Sequence, residues 1–253
     1  MHRSWLAALV WTAALLTTAC GIQAAGNGVD GSFDRTITLD GPADVSVTSR
    51  SGSIHVTAGT SNQIQIAARI RAFGSFTYSP SEQVDELEAA PPVRQHGNSI
   101  AIGEIDDTML GSNVTISYDI TVPSDARLRT SSRSGMQTLT ALRGPLDAVS
   151  RSGNIRLEDV KAALRLGTRS GDVTVEGEPT GQWDIETRSG DIDLRTNDSS
   201  RFDVDVRTYS GSIRTSRAIE LSGVQRRKQF RGRVNGGGAP VVVDTRSGSI
   251  DIR

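Results

Sequence analysis

Thr168-Arg169-Ser170-Gly171-Asp172-Val173 and Thr187-Arg188-Ser189-Gly190-Asp191-Ile192 are two copies of one short pattern, and their setting decides the fold. Ser-Gly recurs in nearly the same context at Gly52, Gly135, Gly153, Gly171, Gly190, Gly211 and Gly248. From Gly135 onward the Gly-to-Gly steps are 18, 18, 19, 21 and 37 residues. The last step is close to two units, which predicts one degenerate unit between Gly211 and Gly248. A near-constant period of this size marks a repeat architecture.

Aligned on the glycine, the copies alternate with period two on both sides. Seven, five and three residues before it stand Leu146/Ala148/Ser150, Leu164/Leu166/Thr168, Trp183/Ile185/Thr187, Val204/Val206/Thr208 and Val241/Val243/Thr245. Two and four residues after it stand Ile155/Leu157, Val173/Val175, Ile192/Leu194, Ile213/Thr215 and Ile250/Ile252. The intervening residues are polar, so each arm reads as a half-buried strand. Crossing the Ser-Gly takes an odd number of residues between inward positions, which a corner allows and a continuous strand does not. Glycine supplies positive φ at such a corner, and the Ser or Thr hydroxyls bond its free backbone groups.

Units this small cannot close a core alone, but stacked units bury each other's apolar edges. The expected fold is all-β: a β-solenoid of the parallel β-helix kind, with about six rungs over residues 128–253 at about 4.8 Å per rung. An antiparallel hairpin array also fits, because Ser-Gly suits a two-residue turn; period alone does not separate the two. Residues 33–127 are expected to form an irregular β cap. In it, Val45, Val47, Ile54 and Val56 flank Gly52 with the repeat spacing, and 64–70 and 114–123 read as strands. Ser79-Pro80-Ser81-Glu82 is a capping box with proline at the first helical position, predicting one short helix to about Glu88.

The Thr-Arg-Ser-Gly-x-Ile repeats, the strand-helix-strand opening and Val234–Pro240 before the last Ser-Gly-Ser-Ile resemble the bacterial putative-adhesin family, domain of unknown function 4097. The resemblance spans Phe33 to Arg253. It implies a β-helical envelope protein, often lipid-anchored, with no agreed activity and no catalytic residues to carry over.

The amino terminus points the same way. One charge at Arg3, an apolar run from Trp5 to Leu16 and then small residues make a secretory signal over residues 1–19, too short for a transmembrane helix of about 20 residues. Ala19-Cys20-Gly21 resembles the bacterial lipobox, with Thr17 where leucine is usual. Cys20, the only cysteine, is therefore expected to carry a lipid anchor, and residues 20–32 a flexible tether. The expected location is the cell envelope, on the membrane through the lipid; an ordinary cleaved, secreted protein is the alternative.

Composition narrows the chemistry. With 26 glycines in 253 residues and 4% aromatics, a helix bundle is disfavoured, since each interior glycine costs a helix roughly 1 kcal/mol. Net charge of −1 gives no drive toward nucleic acid. One cysteine excludes a disulfide or multi-cysteine metal site, and with only three histidines metal-dependent chemistry starts at a disadvantage. Asp172 and Asp191 follow their glycines at equivalent places, but the calcium-binding Gly-Gly-x-Gly-x-Asp repeat is missing. Val234–Gly238 lacks the Lys-Ser/Thr of a phosphate loop. No cofactor and no enzymatic activity are expected.

Two basic features are the candidate ligand contacts. Arg133, Arg151, Arg169, Arg188 and Arg246, each two residues before its glycine, would form a ladder for phosphate or carboxylate groups on an anionic polymer. The blander reading is a solvated edge partnered by Asp172, Asp191 and Glu186, and Tyr209 interrupts the series in sequence. Residues 225–233 hold Arg226, Arg227, Lys228, Arg231 and Arg233, a candidate partner-binding loop. The expected function is a non-enzymatic envelope lipoprotein, an adhesin or scaffold acting on an anionic glycan or an envelope protein. The alternatives are a carbohydrate-active β-helix enzyme and a sensory module using the basic loop.

Overall fold

The computed structural model describes residues 28–222, 226 and 228–253. Strands β1 (Val29–Thr38), β2 (Asp44–Ser49), β3 (Ile54–Gly59) and β4 (Gln63–Ala72) lead into helix α1 (Pro80–Ala89). Then come β5 (Val93–His96), β6 (Ser99–Ile102) and β7 (Val114–Pro123). The repeats supply pairs: β8 (Arg127–Ser134) with β9 (Gln137–Thr140), β10 (Leu146–Ser152) with β11 (Ile155–Val160), β12 (Leu164–Ser170) with β13 (Val173–Gly177), and β14 (Trp183–Ser189) with β15 (Ile192–Thr196). The chain closes with β16 (Phe202–Ser210), β17 (Ile213–Thr215), β18 (Ile219–Leu221), β19 (Gln229–Val234), β20 (Ala239–Ser247) and β21 (Ile250–Ile252).

Strands before each corner build a front sheet, in the order β18-β19-β16-β20-β14-β12-β10-β8-β2-β6-β5. Strands after each corner build a back sheet, β1-β4-β7-β3-β9-β11-β13-β15-β21-β17. The repeat strands pair in parallel and in register, which settles the architecture as a solenoid and not a hairpin array. The core lies between the sheets. Gln137, Ile155, Val173, Ile192, Ile250 and Ile213 stand side by side across the back sheet, and Leu146, Leu164, Trp183, Val241 and Val204 across the front. Trp183 is wholly buried and its indole N–H donates to the Ala162 carbonyl at 2.9 Å. Gln137, the one polar member of its column, is satisfied: its amide donates to Ser132 Oγ at 2.9 Å and to the Val149 carbonyl at 2.7 Å.

The corners hold glycine for a reason beyond conformational freedom. Gly52 and Gly135 do have φ of 110° and 115°, but Gly153, Gly211 and Gly248 lie outside the positive-φ region. What all seven share is crowding. A Cβ on any of them would come within 3.0 Å of a carbonyl oxygen of the neighbouring rung: that of Ile116 for Gly52, and of the adjacent corner glycine for the others. The same carbonyls accept hydroxyl bonds from the next rung, Thr168 to Gly153 at 3.3 Å and Thr208 to Gly248 at 2.9 Å.

The column of glycines runs 52-135-153-171-190-248-211, which is not chain order. The expected degenerate rung between Gly211 and Gly248 is absent. After β17 the chain turns back through β18 and β19, antiparallel to each other, and β19 pairs antiparallel with β16. It then inserts β20 between β14 and β16, and β21 between β15 and β17. The carboxyl-terminal rung thus has a neighbour on each side.

At the other end, β2 and β3 form a full rung against β8 and β9, so the Gly52 copy, assigned by sequence to the cap, is stacked within the solenoid. Beyond it, β7, β4 and β1 extend the back sheet, with β4 antiparallel to both, and β6 and β5 extend the front. Residues 29–32, expected in the tether, belong to β1, because pairing with β4 from Val29↔Ala72 satisfies their backbone. Helix α1 starts at the capping box of Ser79 and Glu82 and buries Val84 and Leu87 against β1 and β4. Signal residues 1–19 and Cys20 lie outside the described residues.

The crowding argument predicts that Gly171→Ala forces a shift of the stacked backbone, costing about 1–3 kcal/mol and lowering the melting temperature by roughly 2–12 °C. Thermal denaturation followed by circular dichroism checks this; an unchanged melt contradicts it. The inserted rung predicts that Ile250→Ala, at a fully buried position, costs about 2–5 kcal/mol. Ile213→Ala, on the outermost strand and half-buried, should cost less than half as much. Urea titration of the two variants compares them directly; equal losses would contradict the rung order.

Candidate functional site

Register fixes what the front sheet shows to solvent. In-register pairs such as Ser150↔Thr168 and Ser152↔Ser170 place Arg151 beside Arg169, and the same pairing carries the column onward. Across the sheet it reads Arg50, Arg133, Arg151, Arg169, Arg188, Arg246 and finally Tyr209, all exposed. Because β20 lies between β14 and β16, Tyr209 ends the ladder and does not interrupt it. Arg50 extends it at the other end; its place two residues before Gly52 was the sequence signal for that.

The side chains of Arg133, Arg151, Arg169, Arg188 and Arg246 have no hydrogen-bond or ion-pair partner among the described residues. Of their expected counter-charges, Glu186 stands on the same face two residues from Arg188, while Asp172 and Asp191 are engaged elsewhere. Asp172 Oδ1 accepts the Asp191 amide at 2.9 Å, and Asp191 Oδ1 accepts the Ser249 amide at 2.7 Å, so these carboxylates stitch successive rungs together. Arg50 donates to the Gly111 carbonyl at 3.4 Å.

Many of the other charges are paired. On the back sheet Arg69 meets Asp119 at 3.0 Å, Arg195 meets Asp193 at 2.7 Å, and Arg214 meets Asp251 at 3.0 Å; Arg156 meets Glu158. On the front sheet, Arg129 pairs with Asp44 at 3.1 Å and Arg231 with Asp205 at 2.7 Å. Arg231 is therefore neutralised within the fold. Arg226 is exposed and bridges Gln229 through its backbone; Arg227 lies outside the described residues. The basic segment nevertheless adjoins the ladder. The Thr208 amide donates to the Lys228 carbonyl at 3.0 Å, and Lys228 Nζ donates to the Tyr209 carbonyl at 2.8 Å.

Three carboxyls have displaced pKa values, all below the ordinary range. Asp251 is held down by its bond from Arg214. Glu82 is held down by the backbone N–H and then the hydroxyl of Ser79. Asp107 is held down by the Leu110 amide, the Tyr78 hydroxyl and the Met109 amide. Glu82 and Asp107 lie near each other around Tyr78 in the cap, Asp251 sits on β21 at the other end of the solenoid, and all three serve structure. A recess of about 300 Å³ at the cap is lined by Arg50, Glu104, Asp106 and Tyr118, but its two acids are held by Arg94. Among the described residues no cluster of three or more His, Cys, Asp or Glu could hold a metal ion.

Two solved structures resemble this architecture. One is a putative cell adhesion protein from Clostridium sporogenes, with TM-score 0.44 and 12% identity over 88% of this chain and 99% of that one. The other is a putative adhesin from Bacteroides fragilis, with TM-score 0.41 and 15% identity over 88% of this chain and 97% of that one. No curated protein matches the sequence. Residues 112–253, more than half of the chain and including all the stacked rungs but the first, match the family described as Toastrack DUF4097. This chain belongs to the Toastrack DUF4097 family.

Proposed function

We propose that this chain is a non-enzymatic envelope lipoprotein that acts as an adhesin or surface scaffold, binding through the outward face of its front sheet. The observation that carries this reading is the unpaired arginine column, a row of identical groups borne on strands stacked in register. Repetition of that kind suits many weak contacts that gain strength together. The carboxyls support a role without catalysis: the displaced ones are lowered, whereas the acid of a glycosidase pair must be raised to hold its proton. A signal segment followed by Cys20 supports delivery to the envelope and anchoring by acyl chains, each buried CH₂ contributing about 0.8 kcal/mol.

Expressed from its own signal in a bacterial host, the full chain should incorporate labelled palmitate and sediment with membranes. Cys20→Ala should lose the label and move to the soluble fraction. Isolated envelope polysaccharide should be retained by the wild-type chain with its length unchanged. Identical fractionation of the two forms overturns the anchor, and shortening of the polymer overturns the non-enzymatic reading.

A further inference from the structure

We infer that the ladder from Arg133 to Arg246 binds one extended strand of an acidic polysaccharide, one carboxylate per ring, laid across the front sheet along the solenoid axis. This rests on the front face being the binding surface and adds the chemistry of its ligand. Three features of the site carry it.

The first is continuity. In sequence the arginine series is broken by Tyr209, but the inserted β20 makes Arg188 and Arg246 neighbours and moves Tyr209 to the end. Five guanidinium groups without partners stand in consecutive rungs, each a planar fork that matches a carboxylate.

The second is spacing. Neighbouring strands are about 4.8 Å apart, and a pyranose ring in an extended chain advances by nearly that distance; where alternate rings turn over, carboxylates return to the same side every second ring, facing alternate arginines of the ladder. Phosphates along one strand of duplex DNA rise about 3.4 Å per step and wind around an axis, so they drift out of phase with a straight ladder within a few rungs.

The third is the floor and the end of the track. Beside the arginines run Ser131, Val149 and Gly167, paired in register and short enough to leave room for a ring. Tyr209, 78% exposed, offers its ring face to the last sugar, with Lys228 next to it. The acids bordering the track are Glu186 and Asp244 on the front sheet and Asp172 and Asp191 past the corner. They concentrate toward the Tyr209 end, so the field is strongest from Arg133 to Arg169.

The test uses the purified full-length chain in detergent with polygalacturonate oligomers of graded length. Affinity should rise several-fold per added ring, level off at about five or six rings, and fall steeply with salt. Methyl-esterified oligomers should not bind. The double variant Arg151→Gln/Arg169→Gln should bind at least ten-fold more weakly with no loss of melting temperature. Arg156→Gln on the back sheet should bind as wild type, and Tyr209→Ala should weaken only the longest oligomers. Equal binding of the methyl ester, tighter binding of single-stranded DNA or of phosphatidylserine vesicles, or an equal loss with Arg156→Gln overturns the ligand assignment. If envelope polysaccharide is retained equally by wild type and the double variant, the surface reading stands and the ladder assignment falls. If wild type retains none, the surface reading falls too.

Discussion

Where a side chain would begin on each corner residue, a carbonyl oxygen of the adjoining rung already sits. That contact sets the whole geometry. With nothing larger than hydrogen on Cα, the corners close to ordinary strand separation and cannot slide, because a one-residue slip would drive a Ser side chain into the same oxygen. Register follows at once for both sheets, since each corner is the hinge between a front strand and a back strand. Threonine hydroxyls bonded to those carbonyls and carboxylates bonded to the next rung's amides hold the same alignment from either side. Every column in the molecule, apolar inside and charged outside, derives from this one approach of backbone to backbone.

Much of this was legible before any coordinates. The period-two arms, the odd step across Ser-Gly and the capping box at Ser79 are local signals, and local signals survive into the fold. The order of the rungs was not legible. Val204/Val206/Thr208 and Val241/Val243/Thr245 are almost the same strand, and either packs equally well beside Trp183/Ile185/Thr187. When repeat units are interchangeable, chain order ceases to report spatial order. What decides it is the hairpin of β18 and β19, whose short strands carry little periodicity. Its cover over β16 leaves an interior place for the last rung to fill. The purpose of the corner glycines was only half legible for a related reason: positive φ is a property of one residue, while the carbonyl they make room for lies 18 or more residues away.

The charged face shows the same division. The residues two before each glycine were identifiable as a set, yet their lack of side-chain partners was not. Asp172 and Asp191 are three residues from the nearest ladder arginines in sequence. Their oxygens are turned to backbone amides of the next rung, a use that no one-dimensional pattern reveals. Arg231 is the reverse case: it stood out in sequence as part of a basic run, and the antiparallel pairing of β16 with β19 sets it against Asp205.

The unpartnered ladder has an energetic cost which can be weighed. Two like charges about 5 Å apart repel by roughly 0.8 kcal/mol in water, and beyond about 8 Å physiological salt screens them, so nearest neighbours dominate. A few such pairs sum to roughly 3 kcal/mol. Against this, one rung buries Leu164, Leu166, Val173 and Val175 almost completely, each worth about 1.5–3 kcal/mol. The core outweighs the ladder several times over, so the fold tolerates the arginines. It does not require them: the back sheet, built by the same stacking rule, places its arginines beside acids in ion pairs. A row of like charges that the backbone permits, the core overrides and the opposite face avoids is not needed by the folded chain, and under the function proposed above it serves an anion that approaches from outside.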